Sequence, residues 1–299
     1  MSTSSITLVD RPVWWLRALD YVELTKPKIA TLVLVTVAVS AAVADWGPPA
    51  PLLLLHTLLG TALVASSASA FNQWLERNTD PLMPRTADRP LPAGRLSGTQ
   101  VVTFGAVTIV AGLVYLTAMV NPVTATLGLL TWVMYVCVYT PLKRRTSSNT
   151  AVGAVAGALP ALMGWTSVGA PLGMRAWSLF LIVFLWQFPH FMAIAWLYRR
   201  QYAAAGMQML SVVDPSGRRA GAQAVVAALA LVPVSLVPLL PFPSAGLCFF
   251  WALVIGVGQL ACAVAFCWQL NETSARRLLL ASLVYLPAML GLLLVGPLA

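Results

Sequence analysis

Asn72, Glu76 and Asp80 recur at every fourth position in the stretch NQWLERNTDPLMPRTADRPLPAGR, residues 72–95. On a helix that spacing stacks side chains on one face, over about 12 Å at 1.5 Å of rise per residue. Two carboxylates and an amide oxygen in a row make a hard, oxygen-rich site. Such sites suit Mg²⁺, which is typically held by one or two carboxylates while substrate phosphate completes the shell. Arg77, Arg85, Arg89 and Arg95 fall in the same stretch. Guanidinium groups beside a carboxylate-held metal are one way in which proteins hold a diphosphate. A second reading is open on the same spacing: a solvated helix end whose acids pair with Arg77, Arg85 or Arg89.

The rest of the chain avoids charge. It is 59% hydrophobic and 9% charged, where soluble domains carry about a quarter charged residues. The fold class expected is an all-α integral membrane protein, a bundle of about nine transmembrane helices. Apolar stretches of the roughly 20 residues needed to span run at 28–45, 51–75, 98–120, 122–140, 150–168, 176–198, 219–240, 243–269 and 277–297. If the loops between them alternate sides, every one of the eighteen Lys and Arg residues except Arg175 falls on one face. The positive-inside bias then puts the N-terminus in the cytoplasm and the C-terminus outside. Residues 1–27 become a cytoplasmic segment. Residues 28–299 become one intramembrane domain, with cytoplasmic-face loops at 76–97, 141–149 and 199–218.

Residues 1–27 contain Asp10, Asp20 and Glu23 and no short apolar core before a cleavage site, so they do not read as a signal peptide. A bacterial inner membrane is the expected address. Topology together with attraction to anionic headgroups accounts for most of the residues behind the net charge of +9, and nucleic acid is not an expected partner. The acids are a different matter: all but Asp45 fall on the basic face, although acids do little to set orientation. Cys137, Cys248, Cys262 and Cys267 lie in apolar runs without metal-ligand spacing and read as small buried hydrophobes. His56 reads as structural. His190 lies among aromatics inside a span, where an ionisable group is expensive and points to function; a neutral histidine bonded within the bundle is the competing reading.

Residues 81–97 form a long connection with Pro81, Pro84, Pro90, Pro92 and Gly94; loops of that length are usually functional or disordered. The whole stretch 72–97 resembles the first signature of the UbiA prenyltransferase superfamily, Asn-x-x-x-Asp-x-x-x-Asp, with Glu76 where Asp is usual. More narrowly, Met83, Arg85, Thr86, Arg89, Pro90 and Leu91 match the Met-x-Arg-Thr-x-x-Arg-Pro-Leu string of the protohaem IX farnesyltransferase family. LTKPKIATL (24–32) is similar to that family's opening run, where Lys26 is either a phosphate contact or an interfacial lysine. YTPLKRRTSSNTAVGAVAGALPALMGW (139–165) is similar to its Tyr139–Lys143–Arg144 stretch and the small-residue helix that follows. There Gly153, Gly157 and Gly164 would let helices approach. In 184–214 Pro189, His190, Phe191, Tyr202, Gly206 and Met209 match, but Gln201 stands where the family has Asp. Either the second metal site is altered, or Gln201 contributes an amide oxygen; Asp214 is a distant substitute.

The resemblance covers residues 24–214, in order but discontinuously. It implies transfer of a farnesyl group from farnesyl diphosphate to a vinyl group of haem b, giving haem O. By this resemblance Asn72, Glu76 and Asp80 hold Mg²⁺, while Arg85, Arg89, Lys143 and Arg144 clamp phosphate oxygens. Lys26, Arg77, Tyr139, His190, Gln201 and Tyr202 line the substrates, His190 toward the haem iron or a propionate. The partners implied are the two substrates, the lipid bilayer and the haem A synthase that consumes haem O. Two rivals differ in class. A sister prenyltransferase acting on a quinone precursor or chlorophyll-type ring would share the first signature. A transporter of an anionic metabolite would show repeats and midplane polar groups, which this sequence lacks.

Overall fold

The computed structural model describes residues 13–45, 47–241 and 246–295, and Arg11 lies outside them. The short α1 (Val13–Leu24) leads into α2 (Pro27–Asp45), α3 (Pro51–Leu75), α4 (Gly98–Met119) and α5 (Pro122–Val133). A π-type widening at Met134–Tyr139 carries α5 into α6 (Thr140–Leu142). Then follow α7 (Asn149–Ser167), α8 (Met174–Leu197), the short α9 (Arg199–Ala204) and α10 (Leu210–Val213), α11 (Arg218–Leu236), α12 (Gly246–Gln269) and α13 (Glu272–Val295). The all-helical bundle expected from the sequence is the one found. Among the described residues the nine expected spans correspond to α2, α3, α4, α5–α6, α7, α8, α11, α12 and α13, with ends within a few residues.

Eight of these helices are long and apolar enough on their own to cross a membrane; α7 is the exception. The reason lies in its surroundings. Nearly all of Asn149–Ser167 is buried against α2, α5 and α8, so α7 meets protein rather than lipid and needs small residues more than greasy ones. A Cβ on Gly164 would lie 2.1 Å from the Val37 carbonyl oxygen, and one on Gly157 2.3 Å from Gln187 Oε1. These glycines therefore allow the close approach that their sequence context suggests.

Three expectations change. Asn72, Glu76 and Asp80 do not ride one continuous helix: α3 stops at Leu75, Glu76 caps it, and Asp80 opens a 3₁₀ turn before Pro81. Nor is 81–97 structureless. Thr86 and Ala87 N–H donate to the Met83 carbonyl, Ala93 N–H to Arg89 and Leu96 N–H to Pro90. Thr86 Oγ1 donates to the Asp80 carbonyl at 2.8 Å. Met83 and Leu96 are buried, Met83 against Tyr202, Met207 and Met209. The segment is a folded plug joining the end of α3 to the α9–α10 region. Of the cysteines only Cys248 is buried; Cys137 is exposed on the bundle exterior, where an apolar side chain suits lipid as well as core.

Candidate active site

Asn72 is held from both sides. Lys26 Nζ donates to Asn72 Oδ1 at 2.7 Å, and Asn72 Nδ2 donates to Thr140 Oγ1 at 3.1 Å. Lys26 reaches this position from the junction of α1 and α2 with φ +55°, a left-handed backbone that is uncommon outside glycine. Such strain persists where the surroundings impose it, often at functional sites. Burial, reinforced by the nearby Arg89 and Lys143 charges, brings the Lys26 amine down to about 7 against the opposing pull of Glu76 and Asp80.

Glu76 and Asp80 converge on Arg89. Arg89 Nη1 donates to Asp80 Oδ2 at 2.7 Å and lies 3.7 Å from Glu76 Oε2. Lys143 Nζ donates to the other oxygen, Glu76 Oε1, at 2.7 Å and sits 4.6 Å over the Tyr139 ring. Burial opposes ionisation of Glu76, but Lys143, Lys26 and Arg89 outweigh it and hold the carboxyl below its ordinary value. Asp80 moves the other way: burial raises it, the Glu76 charge adds, and Arg89 only partly offsets them. Burial would lower Lys143, yet Glu76 and the Tyr139 and Tyr135 hydroxyls hold it above the usual lysine value. Asp80 Oδ1 is buried with no hydrogen-bond partner. An all-oxygen donor set with one carboxylate oxygen unspent fits a hard divalent cation.

Arg85 lies 4.9 Å from the Tyr198 ring and 5.5 Å from the Tyr202 ring, and Arg85 Nη2 donates to Tyr202 Oη at 3.1 Å. Gln201, next to Tyr202, has its Oε1 buried without a partner. A cavity of about 390 Å³ opens beside Glu76, Thr79, Thr140, Lys143, Arg144 and Met207. Arg77 turns away from this group, stacking on Trp74 at 4.7 Å and donating to its carbonyl. His190 hydrogen-bonds Ser282 of α13 at 2.9 Å. Asp214 is spent locally, accepting from Ser216 and from the Arg219 N–H at the start of α11.

Sequence reasoning missed two participants and misassigned a third. Thr140 orients Asn72 and Tyr198 flanks Arg85, while Arg95, grouped by sequence with the cations of the stretch, instead braces α1 through Asp20 and Glu23. The last explains two of the acids on the basic face. Only Thr140 carried a sequence signal, its place in the Tyr139–Lys143 string.

Residues 33–290 match the UbiA prenyltransferase family. A protoheme IX farnesyltransferase of Solibacter usitatus (strain Ellin6076) is 43% identical over 287 residues, covering 92% of this chain and 97% of that protein. That of Rhodopirellula baltica (strain DSM 10527 / NCIMB 13988 / SH1) is 43% identical over 278 residues, covering 90% and 96%. Among solved structures, a digeranylgeranylglyceryl phosphate synthase superposes with a TM-score of 0.79 at 14% identity, covering 94% of this chain and 98% of that one. A UbiA homolog from Archaeoglobus fulgidus bound to GPP and Mg²⁺ gives 0.62 at 15% identity, covering 92% and 99%.

Proposed function

The chain belongs to the UbiA prenyltransferase family, and from that premise we propose that it transfers a farnesyl group from farnesyl diphosphate to a vinyl group of haem b, making haem O. The near-full-length identity to protoheme IX farnesyltransferases carries this reading. In the reaction the allylic C–O bond breaks and its electron pair leaves with diphosphate. The vinyl π electrons form the new C–C bond, water supplies the hydroxyl, and a proton is released.

The side chains suit those demands. Asn72, Glu76 and Asp80 would hold Mg²⁺, which supplies positive charge for the departing diphosphate. Arg85, Arg89, Lys143, Arg144 and Lys26 can neutralise charge as it develops on phosphate oxygens. Tyr139 and Tyr202 offer ring faces to an allylic cation, Gln201 an amide oxygen, and the cavity beside Glu76 and Lys143 room for the head group. Arg77, turned onto Trp74, would reach substrate only by leaving that ring. The gathering of basic residues in one set of loops supports a site at the cytoplasmic face of a bacterial inner membrane, with the N-terminus inside and the C-terminus outside. Association with a haem A synthase would pass an apolar product on without crossing water.

The test is to incubate membranes containing the protein with haem b, farnesyl diphosphate and Mg²⁺, then extract pigments for mass spectrometry. A haem carrying a hydroxyethylfarnesyl group, lost with EDTA, is the expected result. Folded protein that consumes farnesyl diphosphate only with a quinone precursor or another ring would overturn the choice of acceptor.

A further inference from the structure

α1 divides along its length. At its C-terminal end Asp20 and Leu24 are buried, and the Tyr21 ring lies 5.3 Å from that of Phe104 in α4. Leu24 packs with Ala70, Leu96 and Val101. Arg95 ties Asp20 and Glu23 to the loop before α4, reaching Glu23 at 2.7 Å. From Trp14 to Leu19, by contrast, every side chain is exposed, and all but Arg17 are apolar; Trp14 is 68% exposed. Trp14, Trp15, Ala18, Leu19 and Val22 recur at the spacing of one helix face, opposite the side that holds Asp20 and Leu24. A 12-residue helix is marginal in water, and this one turns its tryptophans outward.

Beside it a groove of about 360 Å³ opens between α1 and α4, lined by Tyr21, Thr99, Gln100, Thr103, Phe104 and Val107. The two threonines and the glutamine lie in the first turns of α4, with Phe104 and Val107 farther along the helix. Val107 also begins a stripe continued by Val110 and Val114, which are 61%, 62% and 63% exposed. On a helix long and apolar enough to cross a membrane, such a stripe faces acyl chains. The groove therefore runs without a break from α1 into a lipid-facing surface. Trp is enriched at membrane–water interfaces, and a helix apolar on one side lies in the plane of that interface.

We propose that α1 and the first half of α4 form a docking surface for bilayer phospholipid at the basic face of the protein. α1 lies in the interface plane with its Trp14–Val22 face among the lipids. The groove takes one acyl chain, with the headgroup at the Thr99–Thr103 rim. Lipid is the occupant because Val107 belongs to both the groove and the stripe, so a protein partner would have to displace bilayer to reach it. The surface shares no residue with the Asn72–Asp80 cluster, and its failure would leave the proposed function standing.

The experiment places the full-length protein in phosphatidylcholine nanodiscs, using lipids that carry bromine near either the headgroup end or the tail end of their acyl chains. Trp14→Phe/Trp15→Phe serves as the blank, so that wild type minus variant gives the fluorescence of this pair alone. That signal is expected to be lost most with bromine near the headgroup end and to resist aqueous iodide. Quenching by iodide and not by brominated lipid would overturn the proposal by placing α1 in water. Quenching by neither would overturn it by placing a second copy or another protein over the helix. For the groove, Thr103→Trp inserts a bulky ring at an exposed position. Native mass spectrometry from detergent should show one retained phospholipid in wild type that this variant loses. Equal retention in both, or none in wild type, would overturn the acyl-chain site.

Discussion

The Lys143 ammonium lies 2.7 Å from Glu76 Oε1, and this pair joins the end of α6 to the end of α3. Their side chains are only 14% and 8% exposed, so the interaction is not a screened surface pair. Removing one partner of a buried pair strands the other charge and costs about 3–5 kcal/mol. Lys143→Met is expected to lose the lower end of that range, because Arg89 remains 3.7 Å from Glu76 Oε2. Combining it with Glu76→Gln should recover most of the loss, because no carboxylate short of its lysine remains, yet turnover should stay low. Unfolding midpoints in detergent for the single and double variants, beside farnesyl transfer rates, check both statements.

Asp80 tests the metal assignment with less structural damage. Asp80→Asn keeps an oxygen for Arg89 but removes the charge and the unspent carboxylate oxygen. Turnover should fall by about 10²–10³-fold, the scale for losing one preorganised electrostatic contact, with unchanged membrane insertion and an unfolding midpoint lowered only modestly, because Glu76 still faces Arg89. Full activity in Asp80→Asn would remove this residue from the metal site.

Gly164 separates packing from chemistry. The obstacle to a Cβ there is the Val37 backbone, at 2.1 Å from oxygen and 2.8 Å from carbon, which no rotamer change can move. Gly164→Ala should therefore force α2 away from α7 and cost about 1–3 kcal/mol as overpacking. Gly258→Ala, with nothing within 4 Å, should be neutral or slightly stabilising by about 0.5–1 kcal/mol through helix propensity. Thermal unfolding of the two variants side by side decides the matter.

Asp214 is expected to be structural and to act on the acid side of the pH profile. Its hydrogen bonds from Ser216 and the Arg219 N–H hold the carboxyl below its ordinary value. A depressed folded pKa means the unfolded chain binds the proton first as pH falls. The contribution is therefore complete above the usual carboxylate range and is lost as pH drops through the lower folded value. Asp214→Asn should flatten the acid limb of a stability-versus-pH curve while leaving Mg²⁺-dependent turnover intact. Lost turnover in a fully stable variant would return Asp214 to the metal site.

The fold was legible because membrane spans are contiguous. About twenty apolar residues announce each helix, and loop charge orders them. Even α7 was readable from its small residues, though hydropathy alone understates it, since its neighbours are protein. The site was half legible. Spacing at 72, 76 and 80 pointed to a cluster, but a single helical face was the wrong geometry: the chain turns at Glu76, and Asp80 is set by a 3₁₀ turn and by Thr86.

The sequence by itself determined a multi-pass helical bundle, the residue types of an oxygen-donor cluster with nearby cations, and the family resemblance. Those features are local, written in runs and spacings of neighbouring residues. Only the tertiary structure decided that Lys26 meets Asn72, that Lys143 meets Glu76, and that His190 meets Ser282, across separations of 46, 67 and 92 residues. Such pairings depend on the relative rotation and depth of packed helices, which helical periodicity within any one segment does not encode.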